Sequence, residues 1–314
     1  MFREPEIKYN RAGFRPLDIA TLAYLLFEMA VVLIFLRQGP IWMFLIGIYL
    51  LGATLVVLFS AFQIPGPRWR VFRLTYPLLM MIFLYEVLDY QIFIFHSGPL
   101  DNLINSFEMA ILGFDASYAL QRYISVTLNE VMSLSYISYY FIPPVALILF
   151  LMYRRWNALE RTVLSASVAF YACYAIFIFF PIVGPRLYLE NIYYLPLSGP
   201  VFTPLTQKIV AEGGLHGGAM PSSHCAVALA IIWFLAHEFR RFRISLFLLL
   251  ATLCISTVYG RYHYVSDVIA GLLVGAVSIA LTSRWQNGFL ARQEVVAALP
   301  EAEIKDAVGA GFDL

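Results

Sequence analysis

Between Ile19 and Thr282 the sequence keeps returning to one unit, an apolar run long enough to cross a bilayer. The hydrocarbon core is about 30 Å thick and a helix rises about 1.5 Å per residue, so roughly 20 apolar residues make one crossing. Eight such segments can be marked: Ile19–Leu36, Ile41–Phe62, Leu74–Phe95, Val131–Tyr153, Thr162–Pro181, Ser223–Glu238, Ile244–Tyr259 and Asp267–Thr282. Lipid offers backbone amides no partner, so a chain built this way must satisfy them within helices. The expected fold class is all-α, a polytopic membrane helix bundle of about eight spans. Composition agrees: 61% of residues are hydrophobic, 13% are charged, and mean hydropathy is +0.76. Soluble domains run nearer 45–50% apolar and about 25% charged. A net charge of +1 offers no basic footprint, so nucleic acid is not an expected partner. Cys173, Cys225 and Cys254 fall inside apolar runs with no metal-ligand spacing and read as small packing residues.

The spans are oriented by their flanking charges. With the N-terminus cytoplasmic and eight crossings, 16 of the 21 basic residues fall on the cytoplasmic side, among them Arg3, Lys8, Arg11 and Lys305. Arg37, Arg122, Arg186, Lys208 and Arg261 remain opposite. This asymmetry predicts an N-in, C-in topology. The polar start Met1–Asp18 leads straight into a span, with no cleaved leader expected. "QIPGPRWR" and "RRWNALER" read as compact polar turns. Two non-cytoplasmic segments are long. His96–Glu130 reads as one or two amphipathic helices lying flat at the interface, with Gly113 ending the first. Ile182–Ser222, rich in proline and glycine, reads mostly as loop, and the tail after Arg292 as polar and alanine-rich. The chain divides into residues 1–73 (N-terminal segment and two spans), 74–283 (a membrane core with an interfacial segment at 97–127) and 284–314 (a cytoplasmic tail).

Polar chemistry collects on the non-cytoplasmic face in "FFPIVGPRLYL", "HGGAMPSSH" and "YGRYHYVSD". His263 and Asp267 are four apart, so a carboxylate can hold one imidazole nitrogen and leave the other as nucleophile or base. His224 opens a helix, where the dipole favours an anion. Arg186 and Arg261 offer planar donor forks suited to phosphate oxygens. Singly, each has a plain structural explanation. Interfacial histidines hydrogen-bond, Ser222 and Ser223 suit an N-cap, and arginines snorkel to headgroups. Together, two histidines, two arginines and an aspartate suggest phosphoryl transfer: one histidine attacks phosphorus, the other protonates the leaving oxygen, and the arginines balance charge. Further contacts to a headgroup are open to His216, to Asp89 and to Tyr136 and Tyr140 of "SYISYYFIPP", where an interfacial tyrosine belt is the alternative. Glu86 and Asp89 lie in the third span, where buried acids cost about 2.5–3.5 kcal/mol each, so both should face the bundle interior.

"PSSH" at Pro221–His224, followed by "RYHYVSD" at Arg261–Asp267, resembles the type 2 phosphatidic acid phosphatase superfamily. Ser223 stands where that family has glycine, Arg261 is two residues before His263 rather than six, and the first element is reduced to "GPR" at Arg186. These departures, with "HYVSD", look like the inositolphosphotransferase-like branch that includes inositol phosphorylceramide synthase and bacterial relatives. The resemblance covers roughly Ser97–Ser283. It implies a six-helix catalytic core preceded by extra N-terminal spans, and a reaction without metal or other cofactor through a phosphohistidine. His263 would be the nucleophile, Asp267 its orienting acid and His224 the general acid and base. Arg186, Arg261 and Ser223 would bind phosphate. The expected partners are a phospholipid or lipid-phosphate donor, a lipid alcohol or water as acceptor, and the bilayer itself. Transfer of phosphoinositol to a ceramide-like acceptor is the leading expectation, with lipid- or prenyl-phosphate hydrolysis as alternative. A transporter or channel would spread charge through the membrane depth, whereas here it clusters at one face. A catalytically dead scaffold would have no need of His224, His263 and Asp267.

Overall fold

The structure, a computed structural model, describes residues 13–35, 40–62, 64 and 66–298, with side chains to Arg292. Arg3, Lys8, Arg11, Arg37 and Lys305 of the charge argument, and the tail beyond Ala298, lie outside the described residues. The described chain has twelve α-helices: α1 (Pro16–Phe35), α2 (Pro40–Ala61), α3 (Pro67–Leu88), α4 (Asp101–Leu112), α5 (Ala116–Ala119), α6 (Val126–Met152), α7 (Trp156–Phe179), α8 (Pro185–Tyr188), α9 (Phe202–Gly213), α10 (Ser223–Glu238), α11 (Arg243–Tyr259) and α12 (Val265–Ala298). Seven are long and apolar enough to cross a membrane, and α10 is a shorter apolar helix. The protein is an all-α integral membrane bundle. α7 is its axis, packing against α1, α3, α6, α10 and α12, while α2 leans on α1 and α3 at the periphery.

Several boundaries differ from the sequence reading, each for a local reason. Pro67 starts α3 seven residues early, because proline's fixed φ suits the first helical position. The basic stretch to Arg73 is therefore helix, not turn. α3 then stops at Leu88, where Tyr90 N and Gln91 N bond back three residues in tight turns, well short of Phe95. α7 begins at Trp156, so "RRWNALER" is mostly helix, and α12 continues far past Thr282. Ile182–Ser222 is mostly loop, as its prolines and glycines suggest, but it also holds α9, twelve residues long, and the single turn of α8.

Glu86 and Asp89 do not face the interior; both are exposed, in the last turn and at the C-cap of α3. At the helix end they reach the polar boundary and need no buried partner. Two of the acids buried inside the bundle belong to α1. Asp18 accepts a bidentate pair from Arg73 at 3.0 and 2.8 Å and a bond from Tyr76 at 2.8 Å. Glu28 accepts from Gln91 Nε2, which also reaches the Tyr49 hydroxyl at 2.8 Å.

The seam between α10 and α12 is set by two glycines four apart. A Cβ at Gly271 would stand 2.3 Å from the Ser222 carbonyl, and one at Gly275 would stand 2.6 Å from that of Ala226. The backbones approach as small residues allow in membrane bundles. The beginning of α12, with Asp267, is thereby pressed against the beginning of α10, with His224.

Candidate active site

α10 starts from a capped loop. Ser222 is the N-cap, its hydroxyl accepting from Cys225 N, and its own amide donates to the Asp267 carbonyl at 2.9 Å. Ser223 and His224 fill the first turn, and Ser223 is buried. The Met220–Pro221 bond is cis. After α11 the chain turns through Gly260–Tyr264, with Arg261 in the left-handed region at φ 65, an uncommon state for a residue with a side chain. Its carbonyl is held there by Arg186 N at 2.6 Å.

His263 and Asp267 meet as their spacing predicts. Nδ1 lies 3.5 Å from Asp267 Oδ2, with both side chains almost fully buried. Tyr264 N donates to the same carboxylate oxygen at 2.8 Å, so the acid is aimed by backbone as well as by spacing. The His224 ring stands 5.7 Å from that of His263, edge to face. Tyr136 hydrogen-bonds His224 Nε2 at 3.1 Å, and the Tyr139 ring lies 4.4 Å away. Tyr140 is more remote, 6.4 Å from His224 and largely exposed.

Arg186 is partly buried at the start of the loop, its guanidinium 6.0 Å from the Tyr262 ring. Among the described residues no carboxylate pairs with it. Arg261 is placed differently. Its guanidinium donates to the Leu195 carbonyl at 2.6 Å and lies 3.9 Å over the Tyr193 ring, clipping the loop from below. Burial lowers its pKa from the ordinary value, partly offset by the neighbouring tyrosines. Burial also pushes Tyr262 and Tyr193 up to about 12, so both hydroxyls stay protonated donors at neutral pH. His216 and Asp89 are exposed, and neither is joined to the histidine pair by a hydrogen bond or ring contact. Among the described residues no group of three His, Cys, Asp or Glu side chains is placed to hold a metal ion.

The sequence reading passed over the residues that hold these loops together. α4 turns its apolar side outward: Leu103, Phe107 and Ile111 are more than half exposed, while Asp101 and Glu108 are buried. Asp101 accepts from Val183 N and Gly184 N, each at 2.9 Å, and from the Tyr264 hydroxyl at 3.2 Å. Glu108 accepts from Ser266 at the start of α12, through its amide at 2.5 Å and its hydroxyl at 2.7 Å. Gln121 accepts from the amides of Tyr194 and Leu195, and Glu130 from those of Val201, Phe202 and Thr203. The usable signal was the seven-residue spacing of Asp101 and Glu108, which puts both acids on one face of α4. A small recess, about 10 Å³ in volume, opens beside Tyr136 and Tyr262, lined also by Ser133, Thr203, Gln207 and Tyr259.

Such a constellation can bind a phosphate ester and move protons on both sides of it. Residues 105–281, more than half of the chain, match the PAP2 superfamily model. The chain belongs to the PAP2 superfamily, and the match contains both histidine loops. Among curated proteins it is similar to a PA-phosphatase related-family protein of Dictyostelium discoideum, 26% identical over 191 residues. That alignment covers 53% of this chain but only 33% of the relative's length. No solved structure matches the chain.

Proposed function

We propose that this protein is a lipid phosphotransferase or phosphatase that works through a phosphohistidine at the non-cytoplasmic membrane face. The observation that carries the reading is the buried His263–Asp267 pair, 3.5 Å apart, facing His224 at 5.7 Å between ring centroids. In the first step His263 attacks phosphorus and the bond to the leaving oxygen breaks, that oxygen taking a proton from His224. In the second, an acceptor hydroxyl gives its proton to His224, its oxygen attacks phosphorus, and the N–P bond breaks. Asp267 keeps the His263 Nδ1 proton in place, and Arg186, with no paired carboxylate among the described residues, neutralises the phosphoryl oxygens. Ser223 adds a donor. Arg261 serves the site through the loop it clips. No metal enters these steps.

Transfer to a lipid alcohol is the leading acceptor chemistry, for example phosphoinositol to a ceramide-like lipid. The "HYVSD" element supports it. Hydrolysis of a lipid or prenyl phosphate is favoured instead by the phosphatase-related name of the similar Dictyostelium protein. Purified protein given lipid phosphates, and phosphatidylinositol with and without ceramide, separates the two. A new phospholipid marks transfer and free phosphate marks hydrolysis. Turnover that survives His263→Ala, or that needs added metal, overturns the mechanism.

A further inference from the structure

We infer that Asp101 is a positioning residue that sets the register between the arginine loop and the histidine loop. It stands just ahead of the family-matched region, which begins at residue 105. Each oxygen of its fully buried carboxylate takes one amide of the arginine loop, Val183 at Oδ2 and Gly184 at Oδ1. Oδ1 also accepts the Tyr264 hydroxyl. Tyr264 is tied at its other end too, its amide donating to Asp267 Oδ2 beside His263 Nδ1. A continuous path therefore runs from Gly184, two residues before Arg186, through Asp101 and Tyr264 to the His263–Asp267 pair.

The gap it spans is tight. Gly184 has φ 88, and a Cβ there would stand 2.5 Å from the Tyr262 carbonyl. Ile182 is bonded in turn to the His224 loop through Gly217 and Ala219, at 3.0 and 2.8 Å. Residues 182–186 thus touch both histidine loops, and Asp101 is the side chain that pins them on the His263 side. A carboxylate suits this task because two converging N–H groups and a hydroxyl need an acceptor with several lone pairs. Its burial raises the pKa above the ordinary aspartate value, and the amide bonds oppose that rise.

This inference rests on the proposed phosphohistidine reading, and its test keeps the two apart. Asp101→Asn, which keeps one acceptor oxygen, and Tyr264→Phe, which removes only a hydroxyl, are compared with wild type, His263→Ala and Glu130→Gln. Glu130 performs the same amide-accepting task for α9, away from the histidines, and serves as the control. The expected result is a kcat about 10²-fold lower for Asp101→Asn, the scale of an ångström-level misplacement. KM should stay within about threefold, and Tyr264→Phe should fall in the same direction. The double variant should lose less than the product of the two, because both act along one path. Glu130→Gln should lower the melting temperature while keeping wild-type kcat. Wild-type kcat in Asp101→Asn and in Tyr264→Phe overturns the inference, as does a loss that merely tracks the folded fraction. A wild type without turnover, or an active His263→Ala, overturns the underlying reading instead.

Discussion

At the scale of single residues, the two histidines are separated by what holds them. His263 has a carboxylate at 3.5 Å, whereas His224 has the Tyr136 hydroxyl at 3.1 Å. Replacing His224 by alanine removes the proposed proton donor and should cut kcat by about 10²–10⁴-fold, measured on whichever lipid phosphate proves to be the substrate. Tyr136→Phe removes one neutral hydrogen bond worth about 1 kcal/mol and should cost about fivefold. The arginines should part company. Arg186→Lys loses the planar fork and should lower turnover with little change in melting temperature. Arg261→Lys should lower melting temperature as well, because it breaks the bond to Leu195 and the stacking on Tyr193. The His263–Asp267 pair was legible in the sequence because only four residues separate its members, and His224 because it closes the short "PSSH" element. Asp101 was not, since its partners lie 82 to 163 residues away and are mostly backbone amides.

At the scale of elements, the helices were legible and their ends were not. Apolar length decides that a span exists, but a helix stops where capping and tertiary bonds stop it. α9 shows the difference: its first-turn amides are satisfied by Glu130 from α6, a partner that no local pattern announces. Glu86 and Asp89 show the converse, because a rule for mid-span acids does not apply at a helix end. The α10–α12 seam makes the strongest demand on sequence. Gly271→Ala would drive a methyl into the Ser222 backbone, an overpacking that typically costs 1–3 kcal/mol. Melting temperature and turnover should fall together, because the displaced backbone carries the His224 loop. Gly47→Ala, with nothing within 4 Å of its added methyl, is the control and should be silent or slightly stabilising.

At the scale of the whole molecule, α1–α3 precede the family-matched region, yet α1 and α3 pack directly on the axis helix α7. The buried Asp18–Arg73 pair fastens α1 to α3 near their first turns. Removing one partner strands a buried charge, so Asp18→Ala should destabilise by about 3–5 kcal/mol. The double variant Asp18→Leu with Arg73→Met should recover much of that, read by thermal unfolding in detergent. Orientation is checked by a cysteine at Gly213, exposed at the end of α9, which should react with an impermeant maleimide from outside intact cells. Labelling only after lysis would reverse the topology.

The outward-turned apolar faces of α4 and α9 bear on how the protein meets its substrate. Leu103, Phe107 and Ile111, with Val201 and Leu205, give the roof of the site a greasy rim where a water-soluble enzyme would carry charge. On the proposed function, a roof of that kind would sit among lipid headgroups, and a lipid phosphate would arrive by sliding sideways in its own leaflet. The concentration that governs the rate is then two-dimensional. Diluting the substrate with inert lipid or detergent should slow turnover at fixed bulk amount, and adding buffer should not.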